Sequence, residues 1–145
     1  MSGFFDIEPL LEARLREKVS GIPEAQFYFP ADLSEIAPQG NADASLHVAY
    51  LDYTPTDGMS PWEAGAQMKH RWGVVVAVRN AVQKRRGPEL RKMVAPILDQ
   101  VIEALKDWSP GLPDVRPGNL APAPPILNTP EFSYFPLAFY FAMMV

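Results

Sequence analysis

The chain of 145 residues contains no cysteine. This absence excludes a disulfide framework and any metal site built on thiolates. The two histidines, His47 and His70, have no further nitrogen or thiolate ligand at a useful spacing, so we expect no zinc site. Motifs that bind phosphate or dinucleotides, or that carry a nucleophilic serine, are also missing. The sequence therefore predicts no metal, no cofactor and no catalytic residue.

The chain also lacks an apolar run long enough to cross a membrane. Its longest run lies at the C-terminal end, covers about 14 residues and contains Pro136, whereas a transmembrane helix needs about 20. Charges are mixed through residues 1–18, so we expect no signal peptide. These absences favour a protein that matures in a reducing cytosol and has no membrane partner.

What is present is enough apolar sequence for one core and an uneven distribution of charge. Apolar residues make up 48% of the chain, which predicts a single domain over residues 1–145. Within the net charge of −4, residues 1–68 hold 11 acidic and 3 basic side chains, whereas residues 69–92 hold 8 basic and 1 acidic. Opposite charges on separate surfaces favour contacts with other copies or with partners. A dedicated DNA-binding domain is more often basic overall.

Two segments have the apolar spacing of amphipathic helices. The first begins near Ile7 and ends before Gly21. The second runs from about Glu89 to Trp108, and Pro96 inside it should kink the helix or delay its start.

Strand-like segments occupy residues 45–53, 72–79 and 131–145, and a short strand is expected at 27–29. The last long strand is apolar on both faces, so each of its faces needs cover. Helices cover one face. A neighbouring subunit, which we favour, or the stiff, extended segment 109–130 with its seven prolines would cover the other.

The segment 54–68 between two predicted strands is interpreted as a loop of about 15 residues, a length that is typical of functional or disordered loops. The segment contains three apolar residues that could anchor it at an interface. Basic side chains come after the segment. They form either a docking surface for an acidic neighbour or the solvated start of a helix. The candidate interface residues are Met59, Trp62, Met68, Arg79, Lys84, Arg85, Arg86 and Arg91. Asp52 and Asp57 could form a carboxylate pair for acid–base chemistry, but we favour solvated side chains there.

Taken in order, these segments resemble the tail terminator proteins of long-tailed bacteriophages, the lambda minor tail protein U type and its prophage relatives. The resemblance covers nearly the whole chain. It rests on FFDIEPLLEARL, PADLSEI, RWGVVVAVRN, MVAPILDQVIEALKDW, APAPPILNTPEF and SYFPLAFYF.

The resemblance implies an α+β fold, with a mixed, largely antiparallel β-sheet and two main helices packed on one face. It also implies a structural virion protein that is not an enzyme: a ring, expected to be a hexamer, that caps the tail tube, ends its polymerisation and joins the tail to the head. The implied partners are other subunits, the tail tube protein, a head-side connector or stopper protein, and genomic DNA passing through a central channel. The implied location is the tail or neck of the virion, with assembly in the cytoplasm of the bacterial host.

Three other interpretations remain open. The chain could be a different phage neck, head–tail connector or tail-completion subunit. It could be a small enzyme or ligand-binding protein that uses residues 54–68 as a lid, in which case Asp52→Ala would abolish an activity. It could also bind duplex DNA through residues 69–92, with an affinity that falls steeply as salt rises.

Overall fold

The computed structural model describes residues 5–29, 43–55, 67–80 and 87–144. The spacing of Asp32 and Glu35 also predicts a short helical turn, which lies outside these ranges. In chain order, the main elements are α1 (Ile7–Lys18), β1 (Phe27–Tyr28), β2 (Ala44–Pro55), β3 (Gln67–Arg79), α2 (Gly87–Leu105), β4 (Asn119–Ala121), β5 (Leu127–Asn128) and β6 (Phe132–Met144).

The strands form one sheet in the order β1–β2–β3–β6–β4, and β5 also pairs with β6. The short β1 runs parallel to β2, whereas β2, β3 and β6 form an antiparallel centre, with β4 and β5 antiparallel to β6. The prediction of a mixed, largely antiparallel sheet is therefore confirmed.

Both helices pack on the same face of this sheet, which confirms the α+β prediction. The buried stripes of α1 and α2 meet the alternate β3 side chains that begin at Trp72, and each of these β3 side chains is at most 1% exposed. Burying a large aliphatic side chain contributes about 2 kcal/mol, so this layer is the main source of stability. Its members include Leu11, Leu15, Val94, Val101, Leu105, Trp72, Val74, Val76, Val78, Phe139 and Phe141.

Hydrogen bonds fix α1 against α2. The Arg14 Nε donates to the Ala104 carbonyl oxygen over 2.9 Å. Four residues earlier in α2, the Gln100 side chain both accepts from the Ser20 backbone N–H at 2.9 Å and donates to the Ser20 hydroxyl at 2.8 Å. Because Arg14 in α1 contacts Ala104 whereas Ser20, just beyond the end of α1, contacts the earlier Gln100, the two helices are antiparallel.

Helix α2 differs from its prediction at both ends. It begins at Gly87 and continues through Pro96, so Pro96 does not delay its start. It stops at Leu105, where Asp107 adopts a left-handed φ of 60° and donates its backbone N–H to the Gly118 oxygen. Trp108 therefore lies beyond the helix, where its ring meets the Phe141 ring edge to face at 6.1 Å.

Strands β2 and β3 are longer than their apolar patterns indicate. They remain paired out to Pro55 and Met68, so both ends of the predicted loop 54–68 belong to the sheet. The predicted strand boundaries were wrong because residues near these ends are polar, so the apolar pattern stops before the strands do. Backbone pairing between the two strands continues beyond that point.

The proline-rich segment is extended, as predicted, and it follows the outer edge of β6. Pairs at Val115–Met143, Leu120–Phe139 and Leu127–Tyr134 show that it runs antiparallel to that strand. Proline has no backbone N–H, so a proline-rich neighbour leaves few donors for further pairing and blunts the edge of the sheet.

Candidate assembly surface

Of the eight candidate interface residues, three lie in the part of the chain that the structure describes: Met68, Arg79 and Arg91. The other five lie outside the described residues: Met59, Trp62, Lys84, Arg85 and Arg86.

The three described candidates do not form one site. Met68 is half-buried near the start of β3, where it pairs with Pro55 and Met143. Arg79 is the last residue of β3, about 36 Å away at the rise of an extended strand. Arg91 is exposed on α2. Met68 is thus a strand residue, which corrects its placement in the loop.

The face of the sheet opposite the helices, here called the second face, carries cations at both ends of β3. At one end the Lys69 ammonium lies 5.8 Å from the Tyr140 ring, and at the other the Arg79 guanidinium lies 5.0 Å from the Phe132 ring. Arg71 follows Lys69 on this face, and the small or apolar residues Gly73, Val75 and Ala77 lie between Arg71 and Arg79. The alternate β3 residues of the second face are Lys69, Arg71, Gly73, Val75, Ala77 and Arg79.

Near one end of the second face, Arg71 forms a two-pronged ion pair with Asp52. Its Nε donates to Oδ1 at 3.0 Å and its Nη2 donates to Oδ2 at 2.8 Å. A register shift between Tyr50 and Asp52 brings Asp52 opposite Arg71, in the way that β-bulges redirect side chains. Both oxygens of Asp52 accept from Arg71, which favours a structural role over acid–base chemistry. Its proposed partner Asp57 lies outside the described residues.

Residues 122–129, here called the strap, lie beside the second face and are pinned near both ends. The Arg71 Nη1 donates to the Pro122 oxygen at 2.9 Å. At the other end, the Asn80 Nδ2 donates to the Thr129 oxygen at 2.8 Å, and the Asn80 Oδ1 accepts from the Ser133 hydroxyl at 2.7 Å. These bonds attach the two ends of the strap to β3 and to the residue that follows it.

Between the strap and the second face lies an apolar groove of about 270 Å³. Gly73 and Leu51 both line it, and Leu51 packs so closely over Gly73 that a Cβ added there would lie 3.2 Å from the Leu51 side chain. The groove is open to solvent, and Leu127 in its wall is 59% exposed. Its lining residues are Leu51, Gly73, Val75, Pro124, Pro125, Leu127, Thr129, Tyr134, Pro136 and Leu137.

Much of the second face is covered within the chain itself. Ser45, His47 and Ala77 are at most 1% exposed, and the Tyr28 ring stacks on His47 at 5.1 Å. This cover at His47 comes from β1, not from the proline-rich segment that the sequence analysis considered. The groove beside the strap presents apolar surface to solvent.

Ser45 and His47 form a buried pair that resembles a nucleophile and its base. The Ser45 Oγ lies 2.6 Å from the His47 Nε2, and among the described residues the His47 Nδ1 has no hydrogen-bond partner. Burial lowers the pKa of His47 to about 4. Because neither side chain reaches solvent, the pair cannot meet a substrate and acts in packing.

Across the described segments, no three histidine or acidic side chains lie close enough together to hold a metal ion. In the same segments, no helix has both the length and the apolar character needed to span a bilayer.

An α+β domain with a basic-ended sheet face and an open apolar groove has the features of a structural assembly protein. The sequence profile described as "Phage tail terminator protein" matches residues 1–145. The chain therefore belongs to the phage tail terminator family.

Among solved structures, the chain is similar to the sheath/tube terminator of PVC, an extracellular contractile injection system, seen by cryo-EM in the extended state. The two chains are 14% identical, with a TM-score of 0.53. The alignment covers 100% of this chain and 57% of that chain, so this chain spans little more than half of that terminator's length. At this identity the likeness shows a shared fold. No curated protein sequence matches the chain.

Proposed function

We propose that the protein assembles into a closed ring of six copies that sits on the end of the tail tube and ends its polymerisation. The observation that carries this proposal is the family match over residues 1–145. A subunit with opposite charges on different surfaces supports it, because contacts between unlike patches on successive copies close into rings.

The ring would use the candidate interface residues in two groups. The basic side chains from Arg79 to Arg91 would face an acidic surface of the next subunit or of an adjoining ring. The apolar anchors Met59, Trp62 and Met68 would contact a neighbouring subunit or the tube end. Aromatic, methionine and arginine side chains are the residue types that interfaces favour.

We propose further that the opposite side of the ring receives the head-side connector or stopper protein, and that genomic DNA passes through its channel. Assembly would take place in the bacterial host cytoplasm. The protein would have no enzymatic activity, and the burial of the Ser45–His47 pair supports this.

Sedimentation velocity over a wide range of concentrations, combined with negative-stain microscopy, tests the ring. We expect monomers at low concentration and six-fold rings at high concentration or on tube ends. Monomers at every concentration, and also at the tube end, would remove the proposal. Binding to random duplex DNA whose affinity falls steeply with salt would instead favour the DNA-binding interpretation.

A further inference from the structure

The groove between the strap and the second face is an apolar feature that the fold leaves open to solvent. Its volume of about 270 Å³ lies below the 300–1,000 Å³ that is typical of sites for small molecules and cofactors, and its walls are mainly apolar. That size suits one or two apolar side chains presented by another polypeptide.

The groove is shaped by contacts within the chain. Gly73 lines it and leaves room for the Leu51 side chain, since a Cβ added at Gly73 would lie 3.2 Å from Leu51. Pro136 in β6 lies between the stretches that pair with β4 and β5, where the strap leaves the edge of the sheet. The Arg71 Nη1 donates to the Pro122 oxygen and the Asn80 Nδ2 donates to the Thr129 oxygen, so both ends of the strap are held by hydrogen bonds within the chain.

The groove also has an apolar rim on the solvent side. Leu127 in the groove wall is 59% exposed and its neighbour Ile126 is 57% exposed. Exposed apolar surface next to a concave site is typical of protein interaction surfaces. The residues at the two ends of the second face, Lys69 and Arg79, are cations.

An occupant that suits this arrangement is apolar in the middle and acidic at its ends. The first 68 residues of this same chain carry 11 acidic and 3 basic side chains. Among the described residues of this half, the exposed large apolar side chains are Phe5 and Tyr53, which are 50% and 52% exposed. We propose that the groove receives apolar side chains from the acidic first half of a second copy, with the flanking acids facing Lys69 and Arg79. This inference rests on the proposed ring and identifies one of its subunit contacts.

The contact would be heterologous, because the groove and the acidic first half are different surfaces of one subunit. Such contacts repeat from copy to copy and close into a ring when the rotation allows it. The strap would then be part of the subunit interface, in addition to blunting the sheet edge.

A matched pair of exposed leucines in the proline-rich segment tests the groove. Leu127 lines the groove, whereas Leu120, 50% exposed on β4, does not. Leu127→Glu should raise the concentration for half-assembly at least tenfold, because it places a charge in the apolar wall. Leu120→Glu should change it less than twofold. Equal effects of the two substitutions, or no effect of Leu127→Glu in a chain that still assembles, would overturn the groove contact.

The absence of cysteine allows a direct identification of the occupant. Leu127→Cys would carry a benzophenone maleimide, and labelled protein would be mixed with a ¹⁵N-substituted copy before irradiation. We expect cross-links between labelled and ¹⁵N chains to peptides from residues 1–68. Cross-links only within one chain, to other parts of the second copy, or to the tail tube protein alone would overturn the inference. If the wild-type chain never self-associates, the proposed ring itself is refuted. That outcome is distinct from a ring that assembles without the groove contact.

Discussion

At the residue scale, the buried histidines couple stability to pH. Burial lowers the pKa of His47 to about 4, from an ordinary value of 6.5, and it also lowers the pKa of His70. The unfolded chain therefore binds more protons than the folded chain between these two pH values. The stability that depends on neutral histidines should be fully present above pH 6.5. The free energy of unfolding should then fall as the pH drops towards 4.

For His47 alone, this loss should reach about 3 kcal/mol, since one pKa unit corresponds to about 1.4 kcal/mol. His47→Phe keeps a ring beside Tyr28 but cannot titrate, so its stability should fall less over the same pH range. Urea unfolding of both proteins at several pH values between 7 and 4 measures the difference. If the free energy of unfolding falls in parallel for the two proteins, His47 is not responsible for the pH dependence. His70 and the carboxylates contribute equally to both proteins.

A second prediction at this scale concerns Gly118, which lies where the end of α2 meets β6. A Cβ there would collide with the Leu105 carbonyl oxygen and lie 2.9 Å from the Phe141 ring. Gly118→Ala should therefore cost about 3 kcal/mol, because backbone and ring must move apart. Asn119→Ala, at the neighbouring exposed position, should stay within about 0.5 kcal/mol of wild type. Thermal unfolding of both variants measures this, and a Gly118→Ala protein as stable as the control would refute the close approach.

At the element scale, helix α2 contains Pro96 in its interior. We expect the protein to be more stable without this proline. The helix is continuous through Pro96, and the side chain is exposed, so replacing it sacrifices little packing. Pro96→Ala restores a backbone donor and should stabilise the protein by about 2 kcal/mol. The adjacent exposed Ala95→Gly should have the opposite sign and cost about 1 kcal/mol. Chemical denaturation checks both, and a destabilising Pro96→Ala would mean that the proline is needed for the helix geometry.

The elements that the sequence predicts well are those whose apolar spacing also decides their packing. The apolar stripe of α1 consists of Ile7, Leu11 and Leu15, and in β3 every second residue from Trp72 to Val78 is a large apolar one. These two patterns predict which side of each element is buried, and the structure confirms them. The short strands β4 and β5 escaped prediction because they contain two or three residues and owe their extended form to pairing with β6. Element ends were missed where polar backbone pairing continues, as at Met68.

The groove could not be predicted from the sequence because its residues come from separate parts of the chain. Gly73 inside a strand and the cluster of prolines in the strap were the available signals, and neither indicates an open space by itself. The ion pair of Arg71 with Asp52 depends on a register shift in β2, which apolar alternation does not reveal.

At the scale of the whole molecule, the charge pattern should govern assembly more than folding. Arg91 is exposed on α2, so Arg91→Glu should change the free energy of unfolding by less than about 0.5 kcal/mol. If Arg91 faces an acidic neighbour, the reversal should weaken assembly about tenfold through repulsion of like charges. Lys106→Glu makes the same change of charge just beyond the other end of α2, outside the basic stretch, and should assemble normally. Light scattering at physiological salt compares them, and equal assembly would place Arg91 outside the interface.

The central claim is that this family member ends the growth of a tail tube, and the length of the tubes tests it most directly. Tail tube protein from the same phage would be polymerised with and without the purified chain, and tube lengths would be measured by electron microscopy. We predict that saturating amounts of the chain stop elongation and leave a ring-shaped cap at one end of each tube. Tubes that continue to lengthen at the same rate, with bare ends, would contradict the account.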